Sequence, residues 1–271
     1  LAGGLAHYLS HETALPTIAI IAVGAEELAQ TTSALLGRGV KRILVEKPGG
    51  LDADEIERVA ALATGNSAKV FVAYNRRFYA ATIAARKIIA ADGGVSSFSF
   101  EFTEWSHVIE PLVKPPIVKE RWFLANSTHV VDLAFFLGGN PLEMSSYVAG
   151  ALSWHPVAAA FAGAGIAEAG AVFSYQANWA APGRWGVEVL TRAHRLILRP
   201  MEQLHVQTLG SVAINRLDID DRLDLEFKPG LYRQVETFLS SEPSSDLLTI
   251  ADQRDRVARI YGRMVLPQAA D

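Results

Sequence analysis

The 271-residue chain contains no cysteine. This removes disulfides, thiol nucleophiles and thiolate-held metals, and fits a reducing compartment, so a cytoplasmic protein is expected. No apolar run reaches the roughly 18 residues that a membrane helix needs. The opening "LAGGLAHYLSHE" lacks the basic segment and long apolar stretch of a secretion signal. Long Lys/Arg runs are missing, and the formal net charge is −4, which argues against nucleic acid as a partner. His7 and His11 stand at i and i+4 without the glutamate of H-E-x-x-H, so no metal site is indicated.

What is present is a globular balance, with 50% of residues hydrophobic and 20% charged. The length allows two domains with a buried core. From Thr17 strand and helix alternate: "TIAIIAV" (17–23), a helix over 25–39, "RILVEK" (42–47), a helix over 51–66 with acids in its first turn, "KVFVAY" (69–74), and a helix over 79–94. That alternation predicts βαβ units and a parallel sheet. After Gly94 the texture changes. "VSSFSFEFTEW" (95–105) alternates with period two, a helix is predicted near 127–139, and five further strand candidates follow between 144 and 209. "GAGIAE" (163–168) reads as a hairpin turn rather than a dinucleotide loop. Two helices near 230–241 and 248–264 end the chain. The predicted fold is therefore α/β: an incomplete Rossmann-like parallel sheet domain over 1–93, and an α+β domain with a large, mostly antiparallel or mixed sheet over 94–271.

Ligands of open parallel sheets bind beyond the carboxyl ends of the strands. Those ends here carry Ala22, Val23 and Gly24, then "EKPGG" (46–50), then "YNRRF" (74–78). Pro48 restricts Lys47 to extended backbone, and a lysine at such a crevice can donate to a substrate oxygen. The alternative is a surface ion pair of Glu46 and Lys47 with neighbours. In "NSTHVVDLAFFLGG" (126–139), Asn126 or Ser127 can cap the helix, and Asp132 shares a face with His129, where it could orient the imidazole. The alternative is a histidine packed beside an apolar helix. His107, His155, His194 and His205 read as surface or sheet-packing residues. The five tryptophans default to sheet packing, with Trp122 the best candidate for a pocket wall.

"ILVEKPGGL", "VAYNRRF" and "STHVVDLAFFLGG", in this order, resemble the Gfo/Idh/MocA family of NAD(P)-dependent enzymes; the likeness runs from about Thr17 to the end. The resemblance implies Lys47 as the catalytic lysine and His129 as general base. It places Ala22, Val23, Gly24, Glu46, Lys47, Pro48, Asn75 and Arg76 by the NAD or NADP cofactor. Tyr74, Arg77, Arg121, Trp122, Asn126 and His129 fall to the substrate, with Asp132 orienting. The implied activity is oxidation or reduction of a hydroxyl or carbonyl on a sugar, cyclitol or nucleotide sugar.

Two departures qualify this. An aspartate four residues before the histidine, found in some members, is Ala125 here, with Asn126 as partial substitute. The family's opening G-x-G-x-x-G turn is also missing before Thr17, and the 16 residues there are too few for a βαβ unit. With leucine at position 1, the expectation is a sequence that starts inside a longer chain and alone binds NAD poorly. The alternatives are a degenerate homologue acting as scaffold or sugar-binding protein, and a redox-neutral NAD-using glycosidase or epimerase. A homo-dimer or homo-tetramer through the second-domain sheet is also expected.

Overall fold

The computed structural model describes residues 4–11, 15–240 and 242–265. They form two compact units, 4–74 with 247–259, and 75–246 with 260–265. In the first unit α1 (Gly4–His11) precedes β1 (Ile18–Ile21), α2 (Leu28–Gly37), β2 (Arg42–Glu46), α3 (Ala53–Gly65) and β3 (Lys69–Ala73). The second unit opens with α4 (Ala80–Ala91), β4 (Ser97–Glu101), α5 (Ser106–Ile109) and α6 (Pro116–Glu120). A π-helical turn over Phe123–Ser127 runs into α7 (Thr128–Gly138). Then come β5 (Pro141–Ala149), β6 (Ala160–Ala167), β7 (Val172–Asn178) and β8 (Gly186–Leu190). After these follow β9 (His194–Leu198), β10 (His205–Thr208), β11 (Asn215–Arg216), α8 (Arg222–Glu226) and α9 (Leu231–Leu239). The chain returns to the first unit with β12 (Leu248–Thr249) and α10 (Ile250–Arg256), and α11 (Gly262–Val265) belongs to the second. Gly93 and Gly94, where the sequence was divided, lie between α4 and β4.

The first unit is built on a sheet of order β1-β2-β3-β12. Its first three strands are parallel, with Ile43 of β2 between Ala19 and Val70. Ile43, Leu44 and Val45 are buried, as a strand covered by helices requires. α3 starts where its acids predict: the Asp52 carboxylate accepts from the Glu55 backbone N–H at 2.8 Å, with Asp54 and Glu55 in the first turn. The segment read as one helix over 248–264 instead opens with β12, antiparallel to β3. Thr249 ends that strand because its side chain caps α10, in a reciprocal pair with Asp252.

The second unit carries an eight-stranded mixed sheet, β11-β10-β9-β8-β4-β7-β6-β5, antiparallel throughout except for β4 against β7. Period two along β4 sends Phe98 and Phe100 to one face, where Phe98 stacks on Phe173 and Phe100 on Tyr175. Phe135 of α7 meets Phe98, Phe100 and Phe173 edge-on, so α7 packs on this face.

"GAGIAE" is not a hairpin turn: most of it lies within β6, and the turn comes after Ala167. Its glycines make room for aromatic rings on β7. A Cβ at Gly163 would come within 2.4 Å of the Tyr175 ring, whose hydroxyl donates to Ser146 at 2.7 Å and so holds the ring in place. Gly163→Ala is expected to destabilise the protein by about 1–3 kcal/mol through overpacking. A denaturant midpoint equal to wild type would show that the ring gives way freely.

Candidate active site

In the first unit, Ala22, Val23 and Gly24 follow β1 and are exposed, while Glu46 and Lys47 at the end of β2 are half-buried. The backbone N–H of Lys47 donates to the Glu46 carboxylate at 3.2 Å, and that of Gly49 donates to the Glu46 carbonyl at 3.0 Å. The Lys47–Pro48 peptide is cis. One residue that sequence reasoning missed fastens this turn. Gln253 of α10, fully buried, donates to the Pro48 carbonyl at 3.0 Å and to the Tyr74 hydroxyl at 3.1 Å. Tyr74, expected to touch substrate, is 1% exposed and spends its hydroxyl on this internal link. A glutamine on the apolar face of a predicted helix was the only signal for it.

The second unit gathers several of the remaining residues. His129 lies on α7 with its ring 6.2 Å from that of Trp185. The Arg76 guanidinium lies 4.9 Å from the Trp185 ring centre and 5.9 Å from that of Tyr79. Burial lowers the pKa of Arg76 and raises that of Tyr79. Asn75 is fixed by donating to the Pro229 carbonyl at 2.9 Å. Gly230, at φ +72°, presses there so closely that a Cβ would stand 2.1 Å from the Asn75 carbonyl oxygen. Trp122 is buried and meets Trp154 edge-on, whereas Arg121 is exposed.

Neither Asn126 nor Ser127 caps α7. The π-helical turn carries helical backbone through Ser127 (φ −66°, ψ −23°), so no helix start exists there. Both side chains instead donate to Glu104, Ser127 at 2.7 Å and Asn126 at 3.0 Å. Glu104 was not singled out from sequence, yet the period-two run Phe98, Phe100, Phe102 puts the next such position on the buried face. Arg77, expected at the substrate, is 3% exposed and clamps Asp132: Nε to Oδ2 at 2.7 Å, Nη2 to Oδ1 at 2.6 Å. Its cation is committed to Asp132, three residues after His129 on α7. Of the tryptophans, Trp179 packs in the sheet as expected, stacked on Trp154, while Trp185 flanks His129. Among the described residues no cluster of three His, Cys, Asp or Glu could hold a metal.

Burial raises the Glu104 carboxyl pKa, against the opposing pull of Ser127 and Asn126. With a folded pKa above the unfolded one, the unfolded chain loses its proton first as pH rises. Stability therefore falls with pH above the unfolded pKa and levels off above the folded one. Glu104→Gln is expected to remove this slope, so that its Tm gains on wild type as pH rises above the ordinary carboxylate range. Parallel Tm curves for the two proteins would contradict it.

No family model and no curated protein sequence matches the chain. Solved structures do. It is similar to UDP-N-acetylglucosamine 3-dehydrogenase GnnA from Acidithiobacillus ferrooxidans, with TM-score 0.68 and 17% identity over 92% of this chain and 77% of that one. A levoglucosan dehydrogenase in complex with NADH and levoglucosan gives TM-score 0.70 and 20% identity, with the same coverage. An inositol dehydrogenase homologue from Azotobacter vinelandii, complexed with NAD+, gives 0.71 and 16%, over 96% of this chain and 78% of that one. The chain has the fold of the Gfo/Idh/MocA-type dehydrogenases.

Proposed function

We propose that the protein is an NAD(P)-dependent oxidoreductase acting on a hydroxyl or carbonyl of a sugar, cyclitol or nucleotide sugar. The observation that carries this is the turn after β2, where Glu46, Lys47 and Pro48 follow a buried parallel strand and Gln253 holds the backbone in place. The neighbours in fold are titled as dehydrogenases of such compounds, two of them with bound NADH or NAD+. The exposed Ala22–Gly24 loop and the half-buried Glu46–Lys47 turn lie after parallel strands, where a nicotinamide ribose would bind. Ala22, Val23, Gly24, Glu46, Lys47 and Pro48 would hold it, with Asn75 and Arg76 also by the cofactor.

A bound nicotinamide would supply the hydride chemistry. Lys47 donates a hydrogen bond to the reacting oxygen and offsets its developing negative charge. His129 takes the hydroxyl proton in oxidation and returns it in reduction. Asp132, held rigid by Arg77, orients the imidazole. Trp122 and Asn126 line the substrate side, with Arg121 at its rim. The test is NADH fluorescence titration of the natural full-length protein, followed by turnover of a sugar and cyclitol panel. Micromolar binding and turnover of at least one compound are expected; no binding and no turnover would overturn the reading.

The same reading includes a homo-dimer or homo-tetramer through the outer face of the eight-stranded sheet. That face is dominated by small and polar side chains, and holds an open concavity of about 450 Å³ bordered by Ser99, Glu101, Ala162, Gln176, Glu188 and Arg199. Tyr147, Ile166 and Val172 are exposed on the strands of this sheet. Light scattering at micromolar concentration should give two or four chains; a monomer would contradict this.

A further inference from the structure

Two arginines of the second unit lie against one indole. The Arg184 guanidinium lies 4.6 Å from the Trp105 ring centre and 4.8 Å from that of Trp185. Arg76 lies 4.9 Å from the same Trp185 ring. Among the described residues neither arginine has an ion-pair partner, although Arg86, Arg195, Arg199 and Arg233 all do. The Arg76 Nε is buried and makes no hydrogen bond, while its Nη1 donates to the Asn75 Oδ1 at a long 3.4 Å. A guanidinium presents planar donors suited to carboxylate or phosphate; Arg184 is exposed and open to such a group, and leaving the buried Nε of Arg76 unanswered is costly. The two charges also act against each other, since Arg184 helps to lower the pKa of Arg76.

The nearby acids do not resolve this. Glu104 and Glu202 are felt electrostatically by Arg76 but make no ion pair with it. Glu104 is engaged by Ser127 and Asn126, and its burial favours the neutral acid. Glu202 is exposed to solvent. Trp185 connects the two cations to His129, whose ring lies 6.2 Å away. An anion between the arginines would thus sit beside the base proposed above.

We propose that the substrate is an acidic sugar, whose carboxylate or phosphate is bound by Arg76 and Arg184 against the Trp185 indole. This rests on the sugar-oxidoreductase reading and deepens it: Arg76 serves the substrate's acid rather than the cofactor, and Trp105 and Trp185 hold Arg184 in place. Neutral polyols lack the group that these cations answer.

Binding tests this apart from turnover. Calorimetric titration with glucuronate, glucose 1-phosphate and glucose reads the acid preference, and the tighter of the two acids identifies the group. At least one acid is expected to bind about tenfold or more tighter than glucose. That preference should shrink about tenfold in Arg184→Gln, with glucose binding unchanged, and should shrink in Arg76→Gln as well. In wild type, added salt should weaken the acid and leave glucose alone, a readout independent of how the variants fold. Equal binding of acids and glucose would overturn the proposal, as would a preference untouched by either substitution. Loss of NADH affinity in the variants with acid preference intact would also overturn it, by assigning the arginines to the cofactor. If no sugar is turned over but the acid preference is present, the oxidoreductase reading fails while the anion site stands.

Discussion

Lys47→Ala is expected to bind NADH within about threefold of wild type while losing about 10²–10³-fold in kcat. The reasoning starts from the backbone. Glu46 ends a buried strand, Pro48 is buried, and the Pro48 carbonyl is tied to Gln253, so the Lys47 side chain leaves from a fixed point. An ammonium leaving from such a point would, on the proposed mechanism, stabilise charge that develops on the substrate oxygen only as the bond changes, which affects kcat more than binding. Lys47→Arg should not restore activity, because the planar guanidinium places its donors elsewhere. Turnover by Lys47→Ala at the wild-type rate, with NADH bound normally, would remove the lysine from the mechanism.

The largest stability effect is expected at the Arg77–Asp132 pair. Both side chains are nearly inaccessible, at 3% and 1% exposure, and share two hydrogen bonds of 2.7 and 2.6 Å. Arg77 further donates to the Asp246 carbonyl at 3.3 Å and lies 4.7 Å from the centre of the Phe136 ring. Asp132→Ala leaves a buried cation unanswered, and should cost about 3–5 kcal/mol in denaturant unfolding. Replacing both partners, Arg77→Met with Asp132→Leu, should recover most of that loss, because no buried charge then remains. A loss below about 1 kcal/mol for Asp132→Ala, as at a surface pair, would contradict the assignment.

Local features of the fold were legible and contacts across the chain were not. The strand and helix alternation from Ile18 to Ala91 follows from periodicity and end signals that lie within a few residues of each other. α7 was legible as a helix from its apolar run, but not its start, because nothing in "FLANS" announces that a π-helical turn continues the helix backwards. "GAGIAE" was misread because its glycines answer to rings on β7, a cross-strand demand that resembles turn chemistry in one dimension. Gln253 secures the Pro48 turn from 205 residues away. The Arg76, Trp105, Arg184 and Trp185 group likewise assembles from three distant segments. Glu104 could have been found, since the alternation of "SFSFEFTE" extends to it.

The central claim is that Lys47 and His129 act on one bond of one substrate. A double-mutant cycle on kcat with Lys47→Ala, His129→Ala and the combined variant tests it directly. His129→Ala alone is expected to lose about 10²–10⁴-fold. Residues that work as a unit fail together, so the combined variant should be little worse than the poorer single one. Losses that multiply in full, or a single variant with wild-type turnover, would show that the two side chains do not share a reaction.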